Sequence, residues 1–372
     1  MSTQAINIES RLEPFIDEYL VDRLEDLSLI LHKPTPREIA IVHDEPWEGN
    51  VSLYHTVFAD KDRFKMYYRG AHYDSETRQV THEMACYAES SDGINWSKPT
   101  LGRVTHRGSG QNNIIWNGIG SHNFTPFKDK NPDCRVEEQY KALASGKGGL
   151  YAFRSTDGID WSLISEDPVI TEGAFDSQNL AFWDVTRRHY VDFHRQYNQE
   201  AEVRDIMTST SVDFHHWTDP VFLKYPGIEP EHLYTNQITP YHRAPHIFIG
   251  LPKRFIPTRS AWDHQYDGVS DAVFMTSRDG VNFKRWGEAI IRPGLQKERW
   301  VNRNNGAAWG ILEIGSSTPG TPNELSIYSA EGYYQGTASR MRRFTWRIDG
   351  FTSIHAKCKR RSTTNQATYF YG

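Results

Sequence analysis

The chain has 372 residues, of which 38% are hydrophobic and 13% aromatic, with a formal net charge of −5. Such a chain can bury a large core, and its charge gives no ground for a nucleic-acid partner; the one basic run, Lys357–Arg361, reads as a solvated tail. Three cysteines without CxxC spacing speak against a disulfide framework or a zinc site, and no motif calls for a metal or cofactor.

The N-terminus, MSTQAINIESRLEP, has neither the basic nor the apolar region of a secretory leader, and no apolar run reaches membrane-spanning length. A cytoplasmic protein without a membrane partner is the expectation. Helical periodicity is nearly absent. Its one candidate, Ile16–Leu31, reads equally as a strand that closes a ring.

From residue 46 onward the chain divides into units of four short strands, with alternating apolar positions and turn residues between them. The first unit is SLYHTVFAD, RFKMYYRG, EMACYAESSDG and INWSKPTL, and the second is NFTPFKD, QYKALASG, GLYAFRSTDG and IDWSLIS. NLAFWDV, HYVDFHRQ, DIMTSTSVD and HHWTDPVFL follow, then QITPYHR, HIFIGLPKRF, DAVFMTSRDG and NFKRWGEAII. The fifth unit is GAAWGILEI, ELSIYSAEGYY, ASRMRRFTWRIDG and a short FTSIH.

A hairpin closes each unit. An aspartate stands four residues before an aromatic in SSDGINW (Asp92, Trp96), STDGIDW (Asp157, Trp161), SVDFHHW (Asp213, Trp217) and SRDGVNF (Asp279, Phe283). A degenerate copy is RIDGF, with Asp349. Successive copies lie 65, 56, 66 and 70 residues apart, which marks a repeat architecture. The carboxylate is suited to accept turn amides and the aromatic to fill space between sheets, so these aspartates read as structural. Four strands repeated radially five times predict an all-β, five-bladed β-propeller of four-stranded antiparallel blades. The predicted blades span about 46–110, 111–170, 171–226, 227–294 and 295–356. Residues 1–45 pack on or close the ring, and 357–372 form a tail, with a shortened β-sandwich as one origin for it.

In a propeller the innermost strands line a central channel, so groups from different blades converge at its mouth. The segments PWEGN (46–50), SHN (121–123), FDSQN (175–179), EHLYTN (231–236) and WVNRNN (300–305) are polar where apolar strands should begin, a conflict expected at functional sites. They supply Glu48, His122, Asp176 and Glu231 as ionisable groups. Asn50, Asn123, Gln178, Asn179, Tyr234, Asn236, Arg303 and Asn304 are their polar neighbours. Arg69, Arg195, Arg254 and Glu331 end second strands. Amides, carboxylates and aromatic rings together suit a sugar, and the arginines suit an anionic substituent on it or a phosphate. Solvation of a water-filled channel is the plainer account of any one of them.

The hairpins SVDFHHW and SSDGINW and the polar blade starts resemble the five-bladed propellers of invertase/fructanase-like and arabinofuranosidase/xylosidase-like glycoside hydrolases. FIDEYLV, HDEPWEGN, FDSQNLAFWD, EHLYTN and RNNGAAWG are similar to bacterial proteins related to the family 32 N-terminal propeller, over roughly residues 12–356. The resemblance implies glycoside cleavage by paired carboxylates at the channel mouth, with an oligosaccharide or glycoside as partner. Asp176 and Glu231 are the first choice for the pair, Glu48 the alternate, and His122 a proton donor or modulator. The sequence departs from the family pattern: PWEGN stands for W-x-N-D-P-N-G, SHNFTPF for the R-D-P element and FDSQN for the E-C motif, which argues against fructan hydrolysis. A glycoside phosphorylase and a non-catalytic carbohydrate-binding propeller are the alternatives.

Overall fold

A computed structural model describes residues 6–259, 268–316 and 320–356. The predicted tail at 357–372, with Cys358 and the basic run, lies outside the described residues. The fold is a five-bladed β-propeller, with two 3₁₀ turns, Val136–Glu138 and Lys297–Arg299, as its described helical elements.

The first blade is Leu53–Asp60, Arg63–Asp74, Gln79–Ser90 and Ile114–Trp116, all antiparallel. Thr125–Lys128, Tyr140–Gly146, Gly149–Ser155 and Ser162–Leu163 make the second; Leu180–Asp184, His189–Asn198, Val203–Ser211 and Val221–Phe222 make the third. In the fourth, the second strand is broken at Leu251 and Pro252 into Ala244–Gly250 and Lys253–Ile256, and an added strand, His232–Thr235, pairs with the latter. Proline has no amide to donate, which accounts for the break.

The fifth blade departs from the sequence reading. Leu312–Ile314, Glu324–Glu331 and Arg340–Arg347 are its inner strands, and Thr35–Val42 from the N-terminal segment is its outer one. The segment FTSIH instead pairs, as Thr352–Ala356, with Leu27–Leu31 in a separate two-stranded sheet. Ile16–Leu31 is therefore not a helix, and the ring is closed a few residues further on. Closure by the opposite end of the chain removes an open sheet edge. The buried Arg343 guanidinium donates to Glu38 of the closing strand, and Arg37 Nη2 donates to Glu324 Oε1 at 2.8 Å.

The hairpins do what their residue types predict. Asp92 Oδ1 accepts the amides of Ile94 and Asn95, both at 2.8 Å, while Ser90 Oγ accepts that of Gly93. The same contacts recur at Ser155/Asp157, Ser211/Asp213 and Ser277/Asp279. Where the other copies carry glycine, the third carries Phe214 at φ 68°. Its fully buried ring lies edge-on to Phe127 of the second blade and to Tyr190. Asp349 does not repeat the turn; it accepts from Tyr241 and Arg243, tying the fifth blade to the fourth.

Candidate active site

Strand register defines one set of mouth positions. In the first, third and fourth blades the hairpin serines Ser90, Ser211 and Ser277 face Phe64, Tyr190 and Phe248 on the second strand. Five residues further along that strand stand Arg69, Arg195 and Lys253. In the second blade, where Ser155 faces Tyr140, the corresponding residue is Ser145.

At this end a line of three ionisable groups crosses from the first blade to the third. Glu83 Oε1 lies 2.8 Å from His122 Nδ1, and His122 Nε2 lies 3.1 Å from Asp176 Oδ1. Arg69 Nη1 donates to the same Glu83 oxygen at 3.2 Å, and Arg195 Nη2 stands 3.9 Å from Asp176. The side chain of Asp176 is 65% exposed and faces the mouth. Burial would raise its pKa, but the His122 hydrogen bond and the Arg195 charge hold it down at about 2. Glu83 is likewise lowered, His122 and Arg69 outweighing burial. For His122, burial acts downward and the two carboxylates prevail, raising it above the ordinary imidazole value. The line thus places an imidazole between two carboxylates, which favour its protonated form, with Arg69 Nη1 3.3 Å from His122 Nδ1 acting against it.

Tyrosines frame it. Tyr54 Oη is 3.2 Å from Tyr234 Oη, which in turn lies 3.4 Å from Asp176 Oδ1. Arg69 stacks over the Tyr54 ring at 4.9 Å, and Arg195 and Lys253 lie against the Tyr234 ring at 4.8 and 4.2 Å. Tyr333 Oη accepts from Arg69 Nη2 at 2.9 Å and from Arg303 Nη1 at 3.1 Å. Tyr54, Arg303 and Tyr334 have φ of 58°, 72° and 64°, backbone strain of the sort that clusters at functional sites. An open depression of about 590 Å³ runs from His122 and Asp176 over Ser145, Gly146 and Gly173 to Phe175. Small residues and one aromatic face suit a sugar ring laid flat.

The predicted amides are buried and position the loops behind the mouth. Asn123 donates to the carbonyls of Phe175 and Ser177 and accepts from Ser145, so it clamps the turn that carries Asp176. Asn179 donates to the same two carbonyls. Asn304 brackets Tyr333 through both its amide and carbonyl groups, and Asn50 joins Tyr73 to Gly336. Gln178 spans the throat to the carbonyls of Tyr54 and His55 and accepts from Gln237. Asn236 donates to the Phe193 carbonyl.

Four predicted charged residues lie apart from this cluster. Glu48 is fully buried, accepting from Tyr68, from Lys98 Nζ at 2.6 Å and from the Glu45 amide. Burial acts upward on its pKa, yet His43, 3.6 Å away, and Lys98 bring it to about 2. Glu231 is bound by Arg254 at 2.9 Å and by Arg285, between the third and fourth blades. Among the described residues no hydrogen bond or ion pair joins it to Asp176, and its carboxylate is taken up by these two arginines. Arg254 is taken up by Glu231 and Asp271. Glu331 is buried against Arg340, Arg342 and Arg299.

Glu83, Tyr54, Lys253 and Tyr334 enter the site without having been singled out from sequence. Glu83 lies within the third strand of the first blade, at a polar position just before the apolar MACYA, and Lys253 stands one residue before the predicted Arg254.

No protein-family model and no curated protein sequence matches the chain. Solved structures do. A BT0996–RGII complex superposes with a TM-score of 0.55 at 14% identity, over 84% of this chain and 92% of that one. The catalytic domain of the Coprinopsis cinerea GH62 α-L-arabinofuranosidase gives 0.51 at 10% identity, over 85% and 97%. An N-acetylgalactosamine deacetylase from F. plautii in complex with blood group B trisaccharide gives 0.51 at 11%, over 88% and 97%. The chain has the five-bladed propeller fold that glycoside hydrolases use.

Proposed function

We propose that the chain cleaves a glycosidic bond at this mouth, with His122 as proton donor and Asp176 as the fixed negative charge beside the anomeric carbon. The observation that carries the reading is the Glu83–His122–Asp176 line opening onto the depression. In it the imidazolium gives its proton to the leaving oxygen as the C–O bond breaks. A carboxylate with a pKa of about 2 is a weak base, yet it suits attack on, or stabilisation of, an oxocarbenium-like centre. Glu83 keeps His122 oriented and protonated. Water completes the reaction by adding to the anomeric carbon and releasing a proton to the site.

A second reading, a non-catalytic carbohydrate-binding propeller, draws on one feature of the same line. The imidazole fills the gap between the two carboxylates where an inverting enzyme keeps its water. Product release from a panel of neutral and anionic oligosaccharides separates the two. Turnover by the wild type that is lost in Asp176→Asn and His122→Gln supports cleavage. Binding without turnover, retained in both variants, overturns it in favour of the binding module.

A further inference from the structure

We infer that the mouth carries a subsite for an anionic substituent (a carboxylate, sulfate or phosphate) on the sugar, built from Arg69, Arg195, Lys253 and Arg303. The inference rests on reading the mouth as a carbohydrate site and specifies the substrate class.

Three of the four cations occupy the same register position in three blades, so the ring geometry aims them at one place. Arg303 joins them from the loop before the fifth blade, donating to the Tyr333 hydroxyl that Arg69 also contacts. Against four cations and His122 the mouth sets two carboxylates, Asp176 and Glu83, and both already face His122. Neither Lys253 nor Arg303 has a carboxylate partner among the described residues.

Lys253 is the second and independent observation. It is 2% exposed, and its Nζ has no hydrogen-bond partner. The stem lies against Gly306, where an added Cβ would come within 2.8 Å of Lys253 Cδ, so a glycine there leaves room for it. Its Nζ lies over the Tyr234 ring at 4.2 Å, where it feels the charges of Asp176 and the three arginines. A buried amine without an acceptor is costly and calls for an explanation such as an absent ligand. Burial first, and then the Arg303 charge, push its pKa well below the ordinary lysine value, so its protonation can respond to a ligand's charge. An arriving anion would favour its ammonium form, and binding would take up a proton. Carboxylate, sulfate and phosphate are the groups that forked guanidinium donors recognise.

The test is calorimetric titration of the full chain with a hexuronate, an O-sulfated hexose, a hexose phosphate, the neutral hexose, and inorganic sulfate and phosphate. Titrations run in two buffers of different ionisation enthalpy. At least one charged sugar is expected to bind tenfold or more tighter than the neutral hexose, with proton uptake, and the gap should close in Arg303→Gln and Lys253→Met. The best of the three charged sugars identifies the substituent. Arg303→Gln alone suffices should the buried Lys253→Met variant not fold. Equal binding of charged and neutral sugars, unchanged in the variants, overturns the anionic subsite and leaves the carbohydrate reading intact. Binding of inorganic anions with no sugar bound at all overturns both.

Discussion

Glu48 offers the sharpest separation of a structural carboxylate from a catalytic one. It is fully buried, and Lys98 and His43 depress its pKa from 4.5 to about 2. A depressed folded-state pKa adds stability that is complete above the unfolded value and is lost as pH falls through the folded value. At about 1.4 kcal/mol per unit, the ionised Glu48 contributes about 3 kcal/mol at neutral pH, and less than half of that at about pH 3. Glu48→Gln keeps the size and one acceptor for Tyr68 while removing the charge. Lys98 retains Asp44 and the Val42 carbonyl as partners. Urea unfolding of both proteins between pH 3 and pH 8 should therefore show a difference of about 3 kcal/mol at pH 7 that shrinks steadily below about pH 4.5. Activity per folded molecule should not change. A difference independent of pH would refute the electrostatic account. Loss of turnover with unaltered stability would return Glu48 to the catalytic set.

Other outcomes follow from the same geometry. Asp176→Asn and His122→Gln should each lower turnover by about 10²-fold or more, a loss that steady-state kinetics on folded protein checks. His122 faces Asp176, Glu83, the opposing Arg69 charge and the Tyr54 ring, and its pKa is raised. Its protonated form is therefore complete at low pH and lost as pH rises through that raised value. Turnover should fall on the alkaline side, and Glu83→Gln should move the fall to lower pH in a pH–rate profile. Phe214→Ala should cost about 3–5 kcal/mol by opening a cavity between the second and third blades, readable in a denaturant melt. Removing residues up to Val42 should expose the edge of Arg340–Arg347 and give aggregates on size exclusion, since that strand loses its partner.

The fold was legible because its signals are local. A serine, an aspartate and a following turn satisfy one another within five residues, so the hairpins and their spacing could be recognised without tertiary information. The closing strand could not. FTSIH follows the fifth hairpin in sequence, but Thr35–Val42 holds the place beside Arg340–Arg347, and Arg343 and Glu38 meet across more than three hundred residues. Reading polar blade starts found Asp176 and His122, and also Asn123 and Asn179, which hold the Asp176 turn from behind.

The sequence by itself determined that five four-stranded units, four of them closed by the same hairpin, pack in a ring and that polar groups gather at one end of it. Tertiary structure alone decided which of those groups meet. Side chains on a strand alternate faces, so a shift of one residue decides whether a group reaches the mouth. Register puts Lys253 level with Arg69 and Arg195, while its neighbour Arg254 turns to Glu231 and Asp271. The loops between second and third strands differ in length, which hides that register from any count along the chain. For the same reason Glu83, carried by a third strand of the first blade, meets His122 of the second, a contact between blades that sequence order does not encode.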